Sequence, residues 1–261
     1  MSSSVPRKRV RKSPEARRAE IVEAATAVAL AEGLECVTLR RIADELTVRP
    51  GLISHYFPSA EELVAEAFGT AATAELDRLV PEVTAAAAPG DAPGEAPAAP
   101  AGAGAAAAGA GAGAPPGAPA GAAPGAPAET PVRRLARFLA QTTGEAYDDI
   151  SRLWINARHL SRYRPVLRDR VTTQQAAWRG RLEALVREGV ERGEFRTADP
   201  YVATIAILVV LDGLGSHVNT PTGDRPGAVL RMAVTTAERE LGLPPGTLDA
   251  PAAPAPPSGA P

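Results

Sequence analysis

Few residues in the chain are equipped for covalent chemistry. His55, His159 and His217 are the only histidines and Cys36 the only cysteine among 261 residues. None recurs with other His, Cys or carboxylate residues at metal-ligand spacing, so the pattern builds no metal site and calls for no cofactor. Asp212, Ser216 and His217 crowd one stretch, but their helical spacing does not make a nucleophile, base and orienting carboxylate. The glycines at 109–114 lie in an Ala/Pro tract with no strand before them and no charged partner, unlike a phosphate-cradling loop. Binding chemistry is better supplied. Thr38, Arg49, Gly51, Ser54, His55 and Tyr56 put hydroxyls, a guanidinium, an imidazole and one open backbone position within twenty residues. Such groups bond phosphates and base edges, and an Arg placed bidentately on guanine discriminates by about 1–3 kcal/mol. The plainer alternatives are packing for Tyr56 and an idle surface imidazole for His55. A second set, Trp154, Tyr163, Trp178 and Asp212, together with Phe138, Tyr147 and Tyr201, places most of the aromatics in the C-terminal half. An aromatic wall can hold an apolar ligand or a quaternary amine. Helix-core packing explains each ring singly. Asp212 sits in an apolar stretch, so it needs a wet cavity or a cation such as Arg158 or Arg231.

These residues need helices to hold them. Ser13 and Pro14 suit the start of a first helix that ends at Gly33, with Ile21, Ala25, Val28 and Ala29 on one face. Thr38 suits the cap of a second helix, with Leu39, Ile42, Ala43 and Leu46 inward. Thr47 to Arg49 reads as a turn pinned by a buried Val48. Pro50 opens a third helix with Leu52, Ile53 and Phe57 inward and Arg49, Gly51, Ser54, His55 and Tyr56 outward. Two short helices joined by a tight turn over 38–57 make a helix-turn-helix, a reader of the DNA major groove. Pro58 and Ser59 end it and cap a fourth helix that runs to about Pro81.

The motifs at 38–63 carry a family resemblance. Thr38, Ile42 and Ala43, then Ile53-Ser54-His55-Tyr56-Phe57, then Ser59, Glu61 and Leu63 resemble the DNA-binding head of TetR-family transcriptional regulators. The likeness covers about residues 15–75, and the string ISHYF is similar to BetI-like, choline-responsive repressors within that family. Two positions depart from the pattern: Thr47 stands where the turn normally carries Gly, and Ala60 where a phosphate-contacting Lys is usual. The resemblance implies that Thr38, His55 and Tyr56 contact the DNA backbone. It places Arg49, Gly51 and Ser54 where bases or phosphates are reached. It also implies a fourth helix linking the head to an effector domain, and a homodimer spanning a pseudo-palindromic operator. Choline is implied only through ISHYF, which lies in the head rather than in a pocket.

Composition bounds the rest. Net charge is −2, yet the first 18 residues hold seven Lys or Arg against one Glu, a basic arm suited to phosphates. Residues 85–130 are almost wholly Ala, Gly and Pro and read as a disordered insertion. Residues 131–243 return to helical periodicity. The stretch 200–218 is apolar on nearly every side, as in a helix sandwiched between layers or at a dimer interface. No apolar run is expected to reach the ~20 residues of a membrane span, and the N-terminus lacks a signal-peptide pattern, so a cytoplasmic location is expected. The expectation is an all-α protein: a basic arm at 1–13, a three-helix DNA-binding head at 14–80, the insertion at 85–130, a helical effector-binding and dimerisation domain at 131–243, and a disordered tail at 244–261. Its partners would be double-stranded DNA, a small-molecule effector and a second copy of itself, with no membrane. A helical adaptor that has lost DNA binding is the alternative, and an enzyme on a helical bundle a weaker one.

Overall fold

A computed structural model describes residues 12–82, 129–220 and 226–249. The basic arm before Lys12, the insertion between Glu82 and Glu129, and the tail from 250 lie outside the described residues. Every regular element within them is helical, so the protein is all-α.

Local signals start most of these helices. Helix α1 (Pro14–Glu32) begins where the Ala16 N–H donates to Ser13 Oγ (3.2 Å), and it ends at Gly33, whose φ of 102° suits a residue without Cβ. A 3-10 turn over Leu34–Cys36 leads to α2 (Leu39–Glu45), which Thr38 caps by accepting from the Arg41 N–H (3.0 Å). Helix α3 (Pro50–Tyr56) has its proline at the first position, where no N–H is needed. Helix α4 (Ala60–Leu79) starts on Ser59, which accepts from the Glu62 N–H (3.1 Å), with Glu61 and Glu62 at its positive end.

In the second half, α5 (Pro131–Thr142), α6 (Asp148–Ser161), α7 (Pro165–Glu191) and α8 (Pro200–Val218) follow in order. Asp199 caps α8, accepting from the N–H groups of Tyr201 (2.9 Å) and Val202 (3.3 Å). The expected last helix is two pieces, α9 (Gly227–Leu230) and α10 (Met232–Glu240), broken at Arg231, whose ψ of −5° departs from the helical value. Residues 244–249, expected as part of a disordered tail, are ordered against the core. They turn back so that Leu248 is buried, its N–H donating to Glu238 Oε1 (3.0 Å), and Asp249 pairs with Arg231 (2.7 Å).

Helices α1 and α4 lie against each other, α4 packs along α7, and α6, α7 and α10 all touch α8. One buried apolar core runs from Ile21 and Phe57 through Phe68 to Leu135, Trp178 and Ile207. The two halves are also fastened by polar contacts. Trp178 Nε1–H donates to the Ala72 carbonyl (3.3 Å), Gln174 Nε2 to Thr73 Oγ1 (3.0 Å), and Arg170 pairs with Glu66 (3.0 Å). Asn156 on α6 accepts from the Leu34 N–H (2.7 Å) and donates to Glu35 Oε1, tying α6 to the 3-10 turn that precedes α2.

Helix α8 is not sandwiched. Ala203, Thr204, Ile207 and Leu214 are buried, but Val202 and Val209 stay 54% and 62% exposed. Contrary to the expectation from sequence, it is also long and apolar enough to cross a membrane by length and composition, with a mean hydropathy of 1.7. That criterion does not separate a membrane span from an apolar helix that covers a core on one side, as α8 does here.

Candidate functional sites: a DNA-reading helix and an aromatic cavity

The turn between α2 and α3 is built by backbone bonds. The Val48 N–H donates to the Ala43 carbonyl (2.9 Å) and the Thr47 N–H to the Asp44 carbonyl (3.1 Å), the paired pattern of a Schellman cap. Such a cap needs one residue in the left-handed region. Thr47 takes it at φ 53°, the one non-glycine with positive φ among the described residues. The missing glycine therefore leaves the turn geometry intact, at some cost in backbone strain. Val48 is half-buried against the core rather than fully enclosed.

Turn and cap together aim α3. Ile53 is buried and anchors the helix, and Phe57, just beyond its end, lies under the Arg18 guanidinium at 4.9 Å from the ring centre. At about 100° per residue, Gly51 and His55 lie opposite Ile53 and Ser54 on the flank, all exposed, as is Arg49 at the N-cap. Thr38 is exposed at the cap of α2. Tyr56 is not free to face outward as expected. It is half-buried against the core, with the His55 ring edge-on at 5.2 Å. Leu52, expected inward, is half-buried. An added Cβ at Gly51 would meet nothing within 4 Å, so the helix surface there is open to a groove. Arg41, on α2, is engaged by Glu32 and Glu45 (2.6 Å each), whereas Arg49 makes no ion pair among the described residues.

A second site opens between α6, α7 and α8. Its cavity has a volume of about 270 Å³. Trp154, Ile155 and Arg158 line it from α6, Gln175, Trp178 and Arg179 from α7, and Ile205, Leu208 and Asp212 from α8, with Tyr147 at its edge. Three of the four residues proposed from sequence meet here. Tyr163 does not: it is 76% exposed beyond the end of α6, with His159 edge-on at 6.3 Å. Trp154 stands edge-to-face with Phe68 of α4 (5.0 Å) and with Trp178 (6.1 Å), so the cavity wall is continuous with the helix that leaves the head.

The electrostatics of this cavity were only partly legible beforehand. Asp212 pairs with Arg158, whose Nη2 reaches both carboxylate oxygens at 2.8 Å, so the first of its two proposed partners takes it. The Arg158 guanidinium also lies over the Trp154 ring at 5.3 Å, and its buried Nε has no hydrogen-bond partner. Arg179 was not singled out from sequence, although its spacing of four from Gln175 places both on one helix face. It lies over the Tyr201 ring at 5.6 Å and has no carboxylate partner among the described residues. Burial holds the Tyr147 phenol well above its usual range, helped by the Glu75 and Asp212 carboxylates, so it remains a neutral donor.

A helix-turn-helix head joined by one long helix to a helical domain with an aromatic cavity defines a class: DNA-binding transcriptional regulators with an effector-type second domain. Residues 21–67 match the family described as bacterial regulatory proteins, tetR family, and residues 128–242 match the BetI-type transcriptional repressor C-terminal domain. The chain belongs to the TetR family of transcriptional regulators, with a BetI-type C-terminal domain. No curated protein matches it. Solved structures share the fold. A transcriptional regulator from Saccharomonospora viridis, in complex with choline, is 21% identical with a TM-score of 0.57, covering 85% of this chain and 94% of its own. A regulator from Pseudomonas aeruginosa PAO1 is also 21% identical, with a TM-score of 0.55 and coverage of 88% and 92%. GusR of Salmonella enterica is 15% identical, with a TM-score of 0.57 and coverage of 88% and 98%.

Proposed function

We propose that the chain is a ligand-responsive repressor that binds a pseudo-palindromic operator as a homodimer. The observation that carries this reading is the continuous aromatic contact from the cavity to α4, Trp178 to Trp154 to Phe68, ending on the helix that supports the DNA-reading face. In this scheme α3 enters the major groove. Gly51 lets the helix approach closely, Arg49 and Ser54 reach base edges or phosphates, and Thr38 and His55 hold the backbone. Tyr56 contributes mainly by positioning α3, given its packing. The exposed apolar face of α8 is the dimer surface: covering Val202 and Val209 with a second copy removes them from water and sets the distance between two heads.

An effector would act through α6. Trp154, Ile155 and Arg158 line the cavity, while Asn156, on the same helix turn, holds the 3-10 turn of the head. A ligand that prefers one placement of α6 biases the head by its difference in affinity for the two states. The Saccharomonospora viridis structure holds choline, which makes choline the reference ligand for comparison.

The test is a gel shift on DNA flanking the chain's own gene. Wild type is expected to bind with a steep salt dependence, and Arg49→Ala to lose affinity. Wild-type binding that is equally strong to unrelated DNA, or unchanged binding by both Arg49→Ala and His55→Ala, overturns the proposed reading of α3.

A further inference from the structure

Resting on the reading of the α6–α7–α8 cavity as the effector site, we infer that it takes an amphipathic carboxylate and discriminates against quaternary amines. A cage for a quaternary ammonium needs bare aromatic faces and an unneutralised negative charge. This cavity offers neither in good supply. Arg158 already occupies a face of Trp154, and Tyr201, the ring under Arg179, does not line the cavity. The single carboxylate in the wall, Asp212, is already shared with Arg158. The formal charge of the lining is therefore positive: two guanidinium groups against one carboxylate. Arg179 has no acidic partner among the described residues, and Tyr147 stays protonated as a further donor. An incoming carboxylate meets Arg179 directly and competes with Asp212 for Arg158, while its apolar body lies along Trp178, Ile205 and Leu208. An incoming ammonium would instead face two cations in a partly desolvated space.

Both tryptophans of the chain, Trp154 and Trp178, line the cavity, so its entire tryptophan emission reports on occupancy. The full-length protein is titrated with octanoate, octan-1-ol, octyltrimethylammonium and choline. Octanoate is expected to change the emission at concentrations at least tenfold below those needed for the other three. Arg179→Gln should weaken octanoate about tenfold or more, the scale of one charge-assisted hydrogen bond. Asp212→Asn should tighten it, because Arg158 is released. Opposite signs for two lining substitutions cannot arise from general damage to the fold, and a thermal melt followed by circular dichroism checks each variant. Octan-1-ol or either ammonium binding as tightly as octanoate overturns the inference, as does weakening by Asp212→Asn or the absence of any octanoate response. A gel shift separates this from the effector reading. If octanoate binds with the stated selectivity but leaves DNA binding untouched, the ligand class stands and ligand-responsive repression falls. If choline releases the DNA while octanoate does not bind, the reverse holds.

Discussion

The two halves of the molecule meet water in opposite ways. In the head, the core residues Ile42, Ile53 and Phe57 are essentially sealed, and the exposed face of α3 is polar, with Ser54 and His55 beside the Arg49 cap. In the C-terminal half, α8 turns Val202 and Val209 outward and the cavity holds a guanidinium nitrogen without a partner. The head is a finished surface whose partner is a polyanion. The second half leaves groups uncommitted: under the proposed function its exposed apolar face takes a second copy and its cavity, with an unspent donor, takes a ligand. A regulator needs this division, because a rigid reader can be controlled only through a part that still has something to bind.

Breaking the open side of that comparison should have the largest consequence. Val202→Asp with Val209→Asp places two charges on the α8 face. With α8 as the proposed dimer surface, light scattering should show the parent as a dimer and the variant as a monomer, and operator affinity should fall about 10²–10⁴-fold as two-site avidity is lost. A dimer that survives both substitutions removes α8 as its interface.

Away from α8 the C-terminal half is sealed as well, and that packing can be challenged next. Gly189 on α7 lies so close to Phe195 that an added Cβ would sit 2.1 Å from the ring. Its carbonyl also accepts from the Glu194 and Phe195 N–H groups, fixing the turn that follows α7. Gly189→Ala should destabilise by about 1–3 kcal/mol, the usual cost of overpacking a buried site, read from urea unfolding. A neutral result would mean that Phe195 can move out of the core freely. On the polar side, Arg49→Ala should cost about 1–3 kcal/mol of operator binding if it reads a base, with the loss confined to one base-pair position in a scan of operator variants. A uniform loss across all variants, with a shallower salt dependence, would make Arg49 a phosphate contact instead.

What the sequence could and could not convey follows the same division. The starts of α1, α2, α3, α4 and α8 were legible because Ser13, Thr38, Pro50, Ser59 and Asp199 act within three residues of themselves. Periodicity likewise picked out Ile21, Ala25, Ile42 and Ile53 as inward. It gave no phase to α8, which is apolar all round, so the choice between a sandwiched and an open helix was not in the pattern. The cavity depends on residues dozens of positions apart. Arg158 over Trp154 is a local spacing of four, but Arg158 against Asp212 required knowing that α6 and α8 are neighbours. Tyr163 was grouped with the other aromatics by type alone, and the end of α6 leaves it in solvent. Leu248 lies in Pro/Gly-rich text that signals a tail, and contacts to residues well before it, Leu248 to Glu238 and Asp249 to Arg231, hold the segment against the core.

The smallest expected effect bears on the head's one imperfection. Thr47 holds the left-handed position of the turn at φ 53° with an exposed side chain, so it gains nothing from burial there. For an L-residue that conformation costs roughly 1–2 kcal/mol. Replacing it with glycine removes that cost but adds about 0.5–1 kcal/mol of backbone entropy to be lost on folding. The strain term is the larger, so Thr47→Gly should stabilise the protein by about 0.5–1 kcal/mol, raising Tm by roughly 1–4 °C for a chain of this size. DNA affinity should stay the same, since the Val48–Ala43 and Thr47–Asp44 backbone bonds that aim α3 do not involve the side chain. A lower Tm would mean that the turn relaxes around threonine. A changed affinity at unchanged stability would mean that the Thr47 hydroxyl itself touches DNA, placing the turn within the reading surface alongside α3.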